Sequence, residues 1–289
     1  MSRKWIDLHT HSTASDGTDS PSELVHKAAA ADICFMALTD HDTMAGIPEA
    51  FAVAQNLNIG FIQGIELGTE YEGKELHILG YGVQLTPDFE AFLNTMVKAR
   101  EERNLSIISK LNQLGFAITM DDVLQRCQDT TIVSRPHIAL TMYEMNLVQS
   151  RRDAWALYLG EGKPAFATKK APHYGECFQA IRKAGGVPVI AHPYLLEKSK
   201  EKSLRLFQEL KNAGLEGIEV WHSEHPFEMQ DFYYQCSKDF NLLATGGSDY
   251  HGSNKQNIHL ASGFENNVNL SDLQIVEILL DQIQKNQKL

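Results

Sequence analysis

Trp5-Ile6-Asp7-Leu8-His9-Thr10-His11 is a short apolar run that stops on two histidines. Successive side chains of a strand alternate faces, so His9 and His11 point the same way at the strand's end. A pair so placed can grip one metal ion. The pattern repeats outward from this stretch. Strand-length apolar runs recur at residues 5–8, 35–39, 61–67, 76–81, 187–191, 217–221 and 242–246. Metal-binding side-chain types collect at their ends. Asp16 lies in the Ser15-Asp16-Gly17 loop, His41 follows the second run, and Glu66 ends Gly64-Ile65-Glu66-Leu67. His77 opens the fourth run, His192 follows Pro188-Val189-Ile190-Ala191, and Asp249 and His251 follow the last.

Most of these runs precede a helical pattern. Ser20-Pro21-Ser22-Glu23 reads as a helix start, with Ser20 as cap, Pro21 at the first position and Glu23 completing a capping box. Residues 47–56, 174–184, 203–213, 226–240 and 271–284 carry the same period. Strands alternating with helices predict an α/β fold with a parallel sheet or barrel, and about seven units fit. In such folds ligands gather at the carboxyl ends of the strands, so residues far apart in sequence can share one pocket. One stretch breaks the alternation: Phe89, Phe92, Leu93 and Met96, then Leu105, Ile108, Leu111 and Leu114, recur at helical spacing. It predicts an inserted helical subdomain over 88–159, with the barrel built from 1–87 and 160–289.

A chain of 289 residues with 43% apolar content can bury a sizeable core. Its formal net charge of −11 argues against binding long duplex nucleic acid, which needs clustered Lys and Arg. Any phosphate must be attracted locally. The start of the chain shows no apolar signal region, and no apolar stretch is long enough to span a bilayer, so a cytoplasmic protein without membrane contact is expected. Cys34, Cys127, Cys177 and Cys236 show no paired spacing and read as reduced and mostly structural.

A single histidine at a strand end is more often a hydrogen-bonded core or surface residue than a ligand. The group outweighs that prior, because six histidines and three carboxylates at corresponding ends would be costly to bury as ordinary polar groups. His26, His173 and His259 lack the placement and read as structural or exposed. Mixed imidazole and carboxylate ligation suits Mn, with Fe or Zn as alternatives, better than Ca. Two or three ions are expected. A cluster of this kind lowers the pKa of bound water and neutralises a phosphate's charge.

Asp7-Leu8-His9-Thr10-His11, Leu38-Thr39-Asp40-His41-Asp42, Gly64-Ile65-Glu66, Ala191-His192-Pro193 and Gly247-Ser248-Asp249-Tyr250-His251-Gly252 together resemble the motif series of the polymerase and histidinol phosphatase superfamily. Ser134-Arg135-Pro136-His137 and Gly162-Lys163-Pro164 resemble its stand-alone branch of nucleoside 3′,5′-bisphosphate phosphatases and a related 5′-to-3′ exoribonuclease. The resemblance implies a distorted β/α barrel of seven strands with a helical insertion. It implies one metal on His9, His11, Glu66 and Asp249, a second on Glu66, His77 and His192, and a third on Asp16, His41 and His251. Glu66, Asp249 and His192 would then carry catalysis. Arg135 and His137 would bind substrate phosphate, with Lys163 adding a point charge. His222 joins the expected substrate-binding residues, since His222 and His225 fall in the layer that could face the pocket, but Trp221-His222-Ser223-Glu224-His225 departs from the branch's Tyr-His-Pro-Asp-His form, which leaves their roles open.

The substrate so implied is a small phosphomonoester, first a nucleoside 3′,5′-bisphosphate cut at its 3′-phosphate by metal-activated water, or short 5′-phosphorylated RNA. A histidinol phosphatase, an amidohydrolase and a non-catalytic metal-binding module remain the rival readings.

Overall fold

The computed structural model of the chain describes residues 4–127, 130 and 132–288. The predicted spans 1–87, 88–159 and 160–289 include positions 1–3, 128, 129, 131 and 289, which lie outside the described residues. Seven strands lie side by side in chain order: β1 (Trp5–Asp7), β2 (Ile33–Leu38), β3 (Gly60–Tyr71), β4 (Lys74–Tyr81), β5 (Val187–Ile190), β6 (Gly217–His222) and β7 (Leu243–Gly247). Each predicted run is therefore a strand. The sheet curls until its edges meet, where Leu8 N donates to Gly246 O at 3.1 Å and Asp249 N to His9 O at 2.9 Å. Only glycine fits at 247, since a Cβ there would lie 2.3 Å from His9 N. The result is a distorted seven-stranded α/β barrel.

The alternation of side chains sorts the core into two layers. Ile6, Leu8, Ala37, Ile62, Leu79, Tyr81 and Val189 fill the barrel. Met36, Leu38, Ile65, Leu67, Ile78, Ile190, Ile218 and Val220 face the surrounding helices. Those helices include α1 (Pro21–Ala30) and α2 (Ile47–Asn56). Ser20 caps α1 as predicted, accepting from Glu23 N at 3.2 Å while Ser20 N donates to Glu23 Oε2 at 2.9 Å. At the far end of the chain, α11 (Leu273–Asn286) seals the end where β4 stops and β5 begins. Val276, Leu279 and Ile283 enter the inner layer, and Gln287 and Asn286 donate to the Gly82 and Gly186 carbonyls. Burial of each such aliphatic side chain stabilises the fold by about 1.5–3 kcal/mol. The opposite end stays open.

One expectation fails. The strands are not all parallel, because β4 runs antiparallel to both β3 and β5. A two-residue turn, Glu72-Gly73, replaces the helix that would carry the chain back, and both residues have positive φ, 49° and 78°. Such a turn matches the twist of a hairpin. As β3 continues past Glu66 to Tyr71, the β3–β4 pair stands above the open end as an arm.

Between β4 and β5 the chain forms α3 (Pro87–Gln113), α4 (Met120–Gln125), α5 (Arg135–Glu144), α6 (Arg151–Ala154) and a π-helical turn at Trp155–Leu159. Phe89, Leu93 and Met96 of α3 pack on the barrel's outer layer. Ile107, Ile108 and Leu111, further along α3, join Ile138, Met142 and Leu159 in a separate apolar cluster. One helix thus ties this segment to the barrel. The remaining helices are α7 (Tyr174–Lys183), α8 (Pro193–Leu196), α9 (Lys200–Ala213) and α10 (Phe227–Asp239). His173 caps α7, accepting from Gly175 N at 3.2 Å, and His26 and His259 are exposed. The four cysteines are free thiols.

Candidate metal centre

The open end of the barrel collects all nine residues predicted as ligands. His9 and His11 leave β1, His41 leaves β2 and bridges to Glu66 of β3, and His77 faces inward from β4 opposite Gly68. His192 follows β5, and Asp249 and His251 follow β7. His192 and Asp249 hold left-handed backbone, with φ of 28° and 56°. Non-glycine residues keep such conformations only where the surroundings over-determine them. Here the seam between β1 and β7 and the carboxylate Glu219 do so.

The donor atoms fall into groups. His9 Nε2 and His11 Nε2 lie 3.1 Å apart, Glu66 Oε2 lies 3.3 and 3.1 Å from them, and Asp249 Oδ1 lies 3.5 and 3.3 Å from them. Ligand atoms on a tetrahedron around one ion at about 2.0–2.1 Å would be separated by about 3.3 Å. The set therefore fits a single cation. Glu66 turns its other oxygen elsewhere, with Oε1 2.8 Å from His77 Nδ1 and 2.9 Å from His192 Nε2. His11, Asp16, His41 and His251 form a further group, with His251 Nε2 3.3 Å from Asp16 Oδ1. His41 Nδ1 and Glu66 Oε2 are buried 3.1 Å apart without a hydrogen bond of good geometry. Two acceptor atoms left facing each other fit a cation better than they fit each other. Buried imidazoles and carboxylates so arranged suit a multinuclear metal site.

Without the cation, protons take its place unevenly. Burial works against charge on His11 and His77, yet their carboxylate neighbours outweigh it and lift them to about 9 and about 10. Asp249 and Glu66 act on His11, and Glu66 and Glu75 on His77. For His41 burial prevails over Glu66 and Asp16 and holds the ring at about 3.

A ring of carboxylates that sequence reasoning missed holds the ligands in place. Glu219 is fully buried inside the barrel, with Oε1 2.8 Å from His9 Nδ1, and its Oε2 accepts from His192 N at 2.7 Å. A register shift between Glu219 and Trp221 turns His222 inward beside it. Asp7 accepts from Ser248 N, Ser248 Oγ and Ala261 N, which fixes the loop of Asp249. Asp40 accepts from Ser12 and Ser15 and fixes the loop of Asp16. The signal for Glu219 was an acid inside an apolar strand run.

Above the metal-binding side chains lies a cleft of about 700 Å³. Its walls carry Arg100, Arg103, Arg135, Arg151, Arg152 and Lys255, an excess of cations in an acidic chain. Arg135 starts α5, pairs with Glu75 of the hairpin arm, and lies over the Trp155 ring. Ser134, Arg135 and Pro136 put the N-terminus of α5 on the cleft. His137 is buried and does not line the cleft; its Nδ1 accepts from Ser134 N at 3.0 Å, so the neutral ring carries its proton on Nε2. Burial keeps His137 below 6.5. Lys163 is exposed in the turn after the π-helical segment and does not line the cleft. His222 does not line it either; its Nε2 lies 3.3 Å from Asp249 Oδ2 beneath the floor. His225 is buried, its Nδ1 2.8 Å from the Val220 carbonyl. Among the described residues no helix is long and apolar enough to cross a membrane.

Comparison with known proteins agrees with this geometry. The PHP domain profile matches residues 7–280. A 5′-3′ exoribonuclease of Haemophilus influenzae is 34% identical, over 87% of this chain and 91% of the relative. A 3′,5′-nucleoside bisphosphate phosphatase of Chromobacterium violaceum is 32% identical, over 85% and 87%. A solved structure from Chromobacterium violaceum, described as an amidohydrolase with bound sulfate and no metal, superposes with a TM-score of 0.84 at 28% identity over 96% of both chains. With its barrel, its imidazole and carboxylate floor and a profile match over nearly its whole length, the chain belongs to the PHP domain family and is a metal-dependent phosphoesterase.

Proposed function

We propose that the chain hydrolyses the 3′-phosphate of a nucleoside 3′,5′-bisphosphate, and that short 5′-phosphorylated RNA can enter the same cleft. The observation that carries this is the placing of Arg135, at the N-terminus of α5, on the wall directly above the metal-binding floor. A guanidinium fork and a helix N-terminus both favour phosphate oxygens. The relatives named for nucleoside bisphosphate and RNA substrates support the choice of class. Amide hydrolysis, the reaction named for the solved neighbour, calls for no such wall.

In this assignment Glu66, His9, His11 and Asp249 would hold one ion, and Glu66, His77 and His192 a second. Asp16, His41 and His251 would hold a third. Manganese suits the donors. When bound, such ions acidify a water and neutralise charge developing on phosphorus. The chain's own residues do the rest. Arg135 anchors phosphate oxygens, His137 fixes the start of α5 through Ser134, and Glu219 keeps His9 and the His192 backbone from turning. His222 steadies Asp249 rather than touching substrate, and Lys163 stands apart. The test is release of inorganic phosphate from adenosine 3′,5′-bisphosphate by manganese-loaded protein. No phosphate from it, and no nucleotide from a short 5′-phosphorylated RNA, would overturn the substrate assignment.

A further inference from the structure

The two reactions assigned to the cleft break the same bond. Water adds to phosphorus, the O3′–P bond breaks, and O3′ leaves with a proton as the hydroxyl of the first nucleotide. From a nucleoside bisphosphate the phosphorus departs as inorganic phosphate, whereas in RNA it stays on O5′ of the next nucleotide. An RNA substrate therefore needs room beside the metal-binding floor for a nucleotide that the bisphosphate lacks.

Such room lies past Lys255 and Gln256, which line the cleft and also a second hollow of about 710 Å³. The loops that follow β6 and β7 form this hollow, so it sits at the same end of the barrel as the floor. Phe227, the first residue of α10, and Phe264 line it and are 66% and 40% exposed. Among the described residues neither ring meets another aromatic ring, whereas the exposed Phe51 and Tyr234 rest against Phe61 and Trp221. A lone exposed phenyl is ordinary. Two in one hollow beside the reaction centre are not, and the loops that carry them are fixed. Asn267 Oδ1 accepts from Phe264 N at 3.0 Å, and its Nδ2 donates to the Ser223 carbonyl at 2.8 Å. Gln230 of α10 donates to the Asn267 carbonyl at 2.9 Å.

Charge narrows the choice of occupant. Lys255 is paired with Asp249, and Glu224 and Glu265 also line the hollow, so it has little to offer a phosphate group. It offers apolar rings and the Gln256 amide, which suit an uncharged base with a π face and a hydrogen-bonding edge. We propose that Phe227 and Phe264 form a stacking site for the base on the 3′ side of the cut, and so set how well the chain uses RNA relative to a mononucleotide. The inference deepens the RNA half of the proposed function and rests on it.

The test compares kcat/KM of metal-loaded protein on a 5′-phosphorylated adenosine trinucleotide of RNA and on adenosine 3′,5′-bisphosphate. The variants are Phe227→Ala, Phe264→Ala, the two combined, and a pair of Phe→Tyr changes at the same positions. Loss of base stacking is expected to lower kcat/KM on the trinucleotide about 5- to 100-fold in the combined alanine variant, chiefly through KM. The bisphosphate, which does not reach the hollow, should stay within about twofold. The tyrosine pair keeps two aromatic faces and should cleave RNA as the wild type does. Unchanged RNA cleavage in the combined alanine variant, an equal loss on both substrates, or no rescue by tyrosine would overturn the proposal. If the combined variant does not fold, the single variants decide by the same ratio of substrates. A wild type that cleaves the bisphosphate and not the RNA would overturn the stacking site and leave the phosphatase reading standing. A wild type that cleaves neither would sink that reading, and the stacking site with it.

Discussion

The floor and the wall of the cleft are built by different rules. The floor is made of imidazoles and carboxylates at strand ends, spaced a few ångströms apart and locked from below by Glu219, Asp7 and Asp40. The wall is made of guanidiniums carried on helices α3, α5 and α6, of which Arg135 pairs across to the hairpin arm. The floor is therefore expected to tolerate no change of ligand, because each donor atom would have a fixed place around a cation. The arginines share a diffuse charge, so each wall residue is expected to be lost at a smaller cost. Disturbing the two regions should produce effects of different size and kind.

The largest effect is expected from Glu66→Gln. An amide cannot offer two anionic oxygens to two sets of imidazoles, so turnover should fall by about a thousandfold or more, and measured metal per chain should drop. Near-normal activity would break the distinction at its strongest point. Glu219→Gln touches no donor atom directly, yet it supports His9 and His192. A supporting carboxylate of this kind is worth about 10- to 100-fold in metal affinity or activity, which a metal titration with activity readout would measure. Arg135→Ala should raise KM about tenfold or more while kcat changes less, since it removes an anchor and not a metal ligand. An equal fall in kcat would move Arg135 from anchoring to chemistry.

Protonation gives a milder test. His11 and His77 are held at about 9 and about 10 in the absence of metal, above the 6.5 of a free imidazole. Their charged forms therefore support the metal-free fold below pH 6.5, and that support is lost as pH rises through 9 to 10. Melting temperatures in chelator should fall over this window, whereas metal-loaded protein, whose imidazoles are already neutral, should not show that fall. The smallest effect belongs to Lys163→Ala, which should leave KM for a bisphosphate within about twofold, the range of an exposed substitution away from the site.

How far each region could be read from sequence follows the same division. The gathering of the nine floor residues at one end of the barrel was legible, because alternation put His9 and His11 on one face and the others sit at strand ends within short motifs. Glu219 escaped because a buried acid within an apolar run carries no motif, and its inward turn depends on pairing with β6's neighbours. The antiparallel β4 escaped because an apolar run has the same appearance in either direction, and Glu72-Gly73 was the only local sign of a reversal. Arg135 was found by resemblance. Arg100, Arg103, Arg151 and Arg152 were not found, since helical spacing places them on the chain but only tertiary packing turns them toward the cleft. Lys163 shows the reverse case, a residue near a motif that the fold leaves exposed.

The central claim is that the floor holds more than one cation with Glu66 between them. Anomalous scattering from crystals of manganese-loaded protein tests it most directly. Two or more peaks are expected, with one Glu66 oxygen toward His9 and His11 and the other toward His77 and His192. A single peak that Glu66 does not touch, or no peak among these side chains, would contradict it.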